Sequence, residues 1–275
     1  MKRISKLPGL LLALFLLASM GFSMVGTAEE RVPMKVGDYV EFGSYLGARI
    51  LWRVMEINDG QPLLWSEYIL SAKCFDAAES GTAGEGSSNA DIYGSNVWSR
   101  SNLREWLNST GKVSWITQSP TSGAIFGNNN YEKEEGFLTG FSKAERKLMI
   151  MTERRITDDL GGYKETTQDL VFLASYGEVM DGGRWGLNAE SRKKPPTMQA
   201  AKQDRIGWLE AGFSGWYYLE TPYTDDSFGV GSVTNDGGIL WHSAYYSDPG
   251  VAPALHLSSV NTISGNGSKK NPWRY

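Results

Sequence analysis

The sequence predicts an α+β domain in which antiparallel strands at both ends of the domain flank short helices. Two observations lead to this fold class. Apolar and polar residues alternate near residue 36 and again after residue 216, as they do in half-buried strands. Helix caps followed by apolar residues at helical spacing lie between these two regions. We therefore expect the two ends of the domain to meet in one sheet.

The first 28 residues have the three-part composition of a secretory signal peptide. Residues 1–6 carry three positive charges, residues 10–25 are apolar and uncharged, and residues 26–28 are small. An apolar stretch of this length suits export better than membrane spanning, although an uncleaved N-terminal anchor is the alternative. The sequence thus predicts a secreted protein, extracellular or associated with the cell surface. Residues 29–35 are interpreted as a linker, 36–260 as a single domain and 261–275 as a tail segment.

Charge and cysteine content restrict the partners. Cleavage after residue 28 removes three of the 27 Lys and Arg and none of the 31 Asp and Glu, which leaves a net charge of −7. An acidic surface repels phosphate backbones, so neither nucleic acid nor, after cleavage, membrane insertion is predicted. Cys74 is the single cysteine and cannot form an intrachain disulfide. We expect it to be a buried, reduced thiol.

Alternation and turn residues define the N-terminal elements. Residues 36–45 predict a half-buried strand. Residues 50–57 and 63–70 predict a hairpin whose turn contains Asp59-Gly60, since Asp-Gly tolerates the positive φ angles of a tight turn. Residues 80–96 are rich in Gly, Ser, Ala and Asn, and they predict a long exposed loop.

Serine caps define three helices in the middle of the chain. Ser101 or Asn102 caps the first helix, whereas Ser142 and Ser175 are each followed three residues later by Glu, as in a capping box. The apolar run 170–174 predicts a strand before the third helix. The predicted buried stripes are Leu103, Trp106 and Leu107 on the first helix and Ala144, Leu148 and Met151 on the second.

The C-terminal part again predicts strands. Strand candidates occupy residues 216–219, 228–234, 239–245 and 251–257. The Asn-Asp-Gly-Gly run at 235–238 is a strong hairpin-turn signal between the second and third of them.

Several motifs follow one another in an order that is similar to a known family. In chain order they are Val36-Gly37-Asp38, Phe42-Gly43-Ser44-Tyr45, Trp52-Arg53-Val54, Leu63-Leu64-Trp65-Ser66 and the run containing Trp98-Ser99, Leu103-Arg104 and Trp106-Leu107-Asn108. Residues 36–257 resemble in this way the bacterial domain-of-unknown-function family number six-two-seven-three. That family implies no assigned chemistry. Its C-terminal pattern is in turn similar to C-type-lectin-like and sulfatase-modifying-factor-like domains, which would imply a lectin-like fold.

Two positions depart from the pattern that the resemblance implies. The family usually has Arg where this chain has Glu220 and Ala252. A role for those arginines, either in a buried salt bridge or in a ligand contact, cannot be carried over to this chain.

Residue patterns for catalysis or metal binding are weak. The two histidines, His242 and His256, lack further ligands at zinc-site spacing, and no Gly-x-Ser-x-Gly motif indicates a serine nucleophile. Acidic pairs such as Asp158-Asp159 and Asp225-Asp226 would serve a glycosidase only if two carboxylates flanked the scissile bond, and such pairs are usually solvated. We therefore predict no metal, no cofactor and no catalytic residue.

An aromatic-rich segment, residues 216–246, is the predicted ligand-binding surface. Aromatic faces beside carboxylate and amide groups suit carbohydrate rings. The predicted binding residues are Tyr218, Glu220, Tyr223, Asp225, Asn235, Trp241, His242 and Tyr246. We interpret the protein as a non-catalytic extracellular binding module for carbohydrate or another cell-surface ligand. The alternatives are that these aromatics fill the core, and that the protein is a secreted hydrolase of polysaccharide or cell wall.

Overall fold

A seven-stranded and a five-stranded β-sheet organise the domain, beside two two-stranded sheets, and the chain passes between the two large sheets more than once. The structure is a computed structural model that describes residues 33–203, 213–258 and 264–275. The strands are β1 (Tyr39–Tyr45), β2 (Ala48–Asn58), β3 (Gln61–Ser66), β4 (Ser71–Ala72), β5 (Thr110–Lys112), β6 (Glu135–Phe137), β7 (Met149–Ile150), β8 (Thr152–Thr157), β9 (Tyr163–Asp169), β10 (Phe172–Leu173), β11 (Tyr217–Pro222), β12 (Gly229–Val233), β13 (Ile239–Ser243), β14 (Gly250–Val251), β15 (Pro253–Leu257) and β16 (Trp273–Arg274). The α-helices are α1 (Asn89–Tyr93), α2 (Asn102–Leu107), α3 (Lys143–Leu148), α4 (Tyr176–Val179), α5 (Ala189–Arg192) and α6 (Met198–Gln203). The α+β class predicted from the sequence is confirmed.

The larger sheet unites both ends of the domain. Its strand order is β10-β15-β3-β2-β1-β16, and β7 pairs with β15 outside this path. The last strand, β16, runs parallel to β1 with Val40 opposite Trp273. The indole N–H of Trp273 also donates to Asp38 Oδ2 at 2.9 Å. Strands β1 and β15, at the two ends of the predicted domain 36–260, both belong to this sheet, so the expectation that these ends share a sheet is confirmed. Strand β16 adds to the same sheet a part of residues 261–275, which were predicted to be a tail segment.

The second sheet carries the aromatic segment. Its order is β13-β12-β11-β14-β4, so β13 forms an edge. The chain moves between the sheets after β3 and again after β14, where Ala252 is buried and its carbonyl accepts the indole N–H of Trp65 at 3.1 Å. Position 252, where the family usually has Arg, therefore lies in a closed part of the core.

Both predicted hairpins form. Asp59 and Gly60 have φ angles of 50° and 74° between β2 and β3, as the Asp-Gly signal requires. The Asn-Asp-Gly-Gly run joins β12 to β13, and Gly237 in it has φ +85°. A Cβ at Gly237 would come within 1.8 Å of the carbonyl oxygen of Ala189, so this turn requires glycine for two reasons.

The tryptophans mostly fill the core. Four are at most 1 % exposed, and each donates its indole N–H to an oxygen: Trp52 to Phe42 O, Trp65 to Ala252 O, Trp98 to Asp169 Oδ2 and Trp106 to Glu135 O. Large buried rings with satisfied N–H groups stabilise a core without leaving a polar group unpaired. Cys74 is fully buried and free, and burial raises the pKa of its thiol.

The helices confirm the predicted caps and only part of the predicted faces. The hydroxyl of Ser101 accepts the Arg104 amide at the start of α2, whose stripe Leu103, Trp106 and Leu107 is buried. The α3 capping box is present, but its predicted stripe is only partly right: Leu148 is partly buried against the core, whereas Ala144 is exposed and Met151 is 55 % exposed. Helix α3 ends at Leu148 and the chain continues into β7, so Met151 is never on the helix.

Residues 80–96 are not the uniform exposed loop that composition predicts. Ser88 and Asp91 form a capping box that starts α1 within this stretch. Asn96, at its end, is only 6 % exposed. A capping box within a Ser-rich run outweighed the loop signal, and the β8–β9 hairpin was also not foreseen.

Candidate functional site

Strand β13 divides the predicted aromatic surface between two faces. Consecutive side chains of a strand point to opposite sides of the sheet, so Trp241 and His242 cannot contribute to one surface. The eight predicted binding residues consequently do not form a single site.

Two of the predicted residues belong to the interior. Tyr218 is fully buried. Its hydroxyl donates to the carbonyl oxygens of Ser243, at 2.9 Å, and Tyr246, at 3.0 Å. Glu220 is 1 % exposed and is ion-paired with Arg154. For these two positions the core interpretation of the aromatic segment applies.

Three predicted residues meet on the Trp241 side. Tyr223 and Trp241 stack with their ring centroids 4.9 Å apart and their planes at 20°. The Trp241 ring lies against Gly231 of the neighbouring strand, where a Cβ would come within 2.9 Å of a ring carbon. Asp225 Oδ2 accepts the Tyr223 hydroxyl at 2.9 Å. Trp241 therefore fixes one face of the Tyr223 ring, and Asp225 fixes its hydroxyl.

The other predicted residues lie elsewhere. The His242 ring is 4.7 Å from Trp216, and Tyr246 is 4.9 Å from Phe126, which is 55 % exposed. Asn235 is exposed in the turn between β12 and β13. The structure does not bring these three predicted residues to the Tyr223–Trp241 pair.

A cleft of about 310 Å³ lies beside Tyr223. It is lined by residues from the end of β11, the β11–β12 loop, β9 and the segment after α1: Asn96, Val97, Lys164, Glu165, Pro222, Tyr223, Asp226 and Ser227. This size falls at the lower end of ordinary small-ligand sites. We refer to it as the Tyr223 cleft.

Hydrogen bonds hold the walls of the Tyr223 cleft in place. Asn96 Nδ2 donates to the carbonyl oxygens of Asp226 at 3.0 Å and Gly229 at 3.1 Å, with a longer contact to that of Tyr223. Asp226 Oδ1 accepts the amides of Phe228, at 2.9 Å, and Gly229. The β11–β12 loop is therefore fastened to the body of the domain, and the cleft is formed before any ligand binds.

The charges around the cleft are mainly negative. Lys164 is a lining cation, but its Nζ lies 3.0 Å from Asp158 Oδ2. Glu165 Oε1 accepts the Ser99 amide at 2.9 Å. The hydrogen bond to Asp225 raises the pKa of Tyr223, and the negative charges of Asp225, Asp159 and Asp226 add to that increase.

Sequence reasoning missed several residues of the Tyr223 cleft. Asn96 belongs to a stretch that composition predicted to be loop, and Lys164 and Glu165 belong to the unforeseen hairpin strand β9. Asp226 was considered only as half of an acidic pair. A lone polar residue next to Gly- and Ser-rich sequence carries no local signal of a site, because its role depends on contacts with distant parts of the chain.

A second polar cluster is buried around Glu220 on β11, the strand whose last residue, Pro222, lines the Tyr223 cleft. Arg154 lies between the side chains of Glu178 and Glu220. Its two terminal nitrogens each donate to one oxygen of Glu178 at 2.9 Å, and its Nε donates to Glu220 Oε1 at 3.1 Å. Its guanidinium also lies 4.2 Å from the centroid of the Phe172 ring. Desolvation raises the pKa of Glu220 to about 8, against the attraction of Arg154, whereas Arg154 helps to lower the pKa of Glu178. Where the family usually has Arg, this chain thus has an acid paired with an arginine from another strand.

Glu220 should make stability depend on pH. Its folded-state pKa lies above the value of 4.5 expected in the unfolded chain, so its contribution is fully present below about pH 4.5 and is lost as pH rises through about 8. We expect the Glu220→Gln variant to lose less stability than the wild type between about pH 5 and pH 9. Urea unfolding at a series of pH values measures this, and parallel curves for the two proteins would contradict it.

The described residues contain neither a membrane-crossing helix nor a cluster of metal ligands. No helix there is long and apolar enough to cross a membrane. In the same residues no group of three or more His, Cys, Asp or Glu is arranged to hold a metal ion.

The fold and the site define an α+β domain with a preformed acidic cleft that has a tyrosine on its wall. The chain belongs to the family described as Domain of unknown function (DUF6273), whose family model matches residues 59–259. The family resemblance inferred from the motifs is thereby confirmed. No curated protein matches the chain, and no solved structure does. The further similarity to C-type-lectin-like domains stays a prediction.

Proposed function

We propose that this protein is an exported, non-catalytic module that binds carbohydrate in the Tyr223 cleft. The observation that carries the proposal is the combination of an aromatic ring held in place by Trp241 with a fixed polar rim. Sugar rings have an apolar face that stacks on aromatic side chains, and hydroxyl groups that need oriented polar partners. A rigid cleft lowers the entropy lost on binding.

Three of the eight predicted binding residues form or support the Tyr223 cleft. Tyr223 is the stacking residue because it lines the cleft, and Trp241 is a positioning residue behind it. Asp225 orients the tyrosine hydroxyl. The remaining predicted residues take no part in this cleft. Of the predicted similarity to lectin-like domains, the proposal uses only the class of ligand, carbohydrate.

Binding is favoured over hydrolysis by where the perturbed carboxyl groups lie. A glycosidase acid needs a raised pKa beside the scissile bond. Among the described residues, the carboxyl groups with raised pKa are Asp76, Glu105, Glu220 and Asp248. None of these four lines the Tyr223 cleft. The proposal of export rests on the composition of residues 1–28.

Removing the tyrosine ring tests the proposal. On a glycan array, the purified chain should bind at least one class of oligosaccharide, and Tyr223→Ala should weaken that binding by about 2 kcal/mol or more, as is typical of a central aromatic contact. Tyr223→Phe keeps the ring and should retain most of the affinity. The melting temperature of both variants should stay near that of the wild type, because Tyr223 is only partly buried.

Tyr68→Ala is the matched control, since this partly buried tyrosine packs on Lys269 and does not line the cleft. It should bind glycans as the wild type does. Equal binding by wild type and Tyr223→Ala, or no glycan binding by the wild type, would overturn the proposal. Release of new reducing ends from a bound polysaccharide would favour the hydrolase instead.

A further inference from the structure

We infer that the ligand of the Tyr223 cleft presents a protonated amine, and that it is an amino sugar with a free amino group. The inference rests on the proposed carbohydrate function and specifies its substrate class. Three features of the described residues carry it: the hydrogen-bonding capacity left in the cleft, the balance of charge around it, and the aromatic ring on its wall.

The two lining carboxylates and the Asn96 amide leave acceptor oxygens free, beside the donors of the Lys164 ammonium and the Ser227 hydroxyl. Glu165 and Asp226 each commit one carboxylate oxygen to backbone amides, and Asn96 commits its Nδ2 to backbone carbonyls. Within the described ranges, the remaining oxygens, Glu165 Oε2, Asp226 Oδ2 and Asn96 Oδ1, have no hydrogen-bond partner. Asn96 is only 6 % exposed, so its free oxygen belongs to an otherwise enclosed side chain. A ligand that donates hydrogen bonds can satisfy these three oxygens.

The charge around the cleft favours a cation. The one lining ammonium, that of Lys164, is paired with Asp158, which is outside the lining. The lining carboxylates Glu165 and Asp226 are not ion-paired with it, and Asp159 and Asp225 add negative charge close to the Tyr223 hydroxyl. A sugar that carries only hydroxyl groups would leave this charge unneutralised. An ammonium group brings three donors, no acceptor and a positive charge.

The Tyr223 ring distinguishes a sugar from other amines. An aromatic face attracts a nearby cation and also stacks on the apolar face of a pyranose ring. A simple metal cation would use neither property, and the described residues hold no cluster of three or more acidic, His or Cys ligands for one. A lysine side chain would supply the charge but no ring to cover the tyrosine. An aminopyranose satisfies the acceptors, the charge and the aromatic wall together.

A comparison of three matched oligosaccharides tests the inference. Isothermal titration calorimetry measures the affinity of the purified chain for hexamers of glucosamine, N-acetylglucosamine and glucose, all β-1,4-linked. The glucosamine hexamer should bind at least about tenfold more tightly than either neutral hexamer, the ratio expected for one hydrogen bond between charged groups. Raising the salt concentration should reduce this advantage.

Isosteric variants remove the charge and keep the shape. Glu165→Gln and Asp226→Asn should each lower the affinity for the glucosamine hexamer and leave the affinity for the neutral hexamers nearly unchanged. Glu190→Gln is the charge-matched control, because Glu190 is exposed on α5 and does not line the cleft. It should behave as the wild type.

The outcomes of these experiments distinguish failure of the amino-sugar inference from failure of the proposed carbohydrate binding. Tyr223-dependent binding of all three hexamers with equal affinity would overturn the amino-sugar assignment and leave carbohydrate binding intact. No binding of any hexamer, together with an empty glycan array, would overturn both. Tighter, Glu165-dependent binding of a lysine-rich peptide than of the glucosamine hexamer would overturn the sugar assignment in favour of a peptide ligand.

Discussion

Replacing Trp106 by alanine should lower the free energy of unfolding by about 3–5 kcal/mol. The indole is 1 % exposed, lies 5.3 Å from the Phe137 ring and 5.6 Å from the Tyr45 ring, and donates to Glu135 O at 3.0 Å. It also lies 4.6 Å from the ammonium of Lys73, which is 3 % exposed. Alanine would leave a cavity, remove the indole donor to Glu135 O and leave a less shielded buried cation. Denaturant unfolding followed by circular dichroism measures the loss.

Two further variants keep the Trp106 prediction specific. Trp106→Phe restores most of the ring volume without the N–H donor, so it should be more stable than Trp106→Ala. Ile116→Ala also truncates a large apolar side chain, but Ile116 is 70 % exposed, so the change should be within about 0.5 kcal/mol of zero. If the Trp106→Ala protein were as stable as the Ile116→Ala protein, the prediction that α2 stabilises the core through Trp106 would be contradicted.

Replacing Arg154 by methionine should be comparably destabilising, by about 3–5 kcal/mol, the usual cost of removing one partner from a buried ion pair. The guanidinium is the shared partner of Glu178 and Glu220, which are 4 % and 1 % exposed. Methionine fills similar space but leaves two enclosed carboxyl groups facing one another. The same unfolding measurement, made near neutral pH, gives the size of the effect.

The adjacent residue provides the control for Arg154. Arg155 is exposed on β8 and packs over Tyr163, so Arg155→Met removes the same charge at little cost. Adding Glu178→Gln and Glu220→Gln to Arg154→Met should recover part of the lost stability, since the buried acidic groups that lost their arginine partner are then replaced by neutral amides. A triple variant no more stable than Arg154→Met would show that the loss arises from packing rather than from charge.

Local structure was predictable where a few neighbouring residues determine the backbone. Asp59-Gly60 forms its turn because both residues tolerate positive φ, and Ser101, Ser142 and Ser175 start helices because their hydroxyls accept backbone N–H groups within three residues. Predictions that depended on where a helix or strand ends were less accurate. Met151 was assigned to a helical stripe because the pattern does not show that α3 stops at Leu148.

The candidate site was predictable only in part. Aromatic density pointed to the segment that holds Tyr223 and Trp241, and the acidic pair included Asp225. The same density also selected Tyr218, which packs in the core, since composition does not distinguish a buried ring from an exposed one. Strand alternation separates Trp241 from His242, and this separation became clear only when β13 was placed at the edge of its sheet.

By itself the sequence determined the family, the α+β class, the hairpin turns and the helix caps, because each depends on residue identity over short spans or on motifs in a fixed order. The tertiary structure alone decided that Asn96, Glu165 and Asp226 line one cleft with Tyr223, and that Glu220 pairs with Arg154. These residues come from distant parts of the chain. Their meeting depends on how the sheets pack, and packing is determined by the whole core rather than by any local pattern.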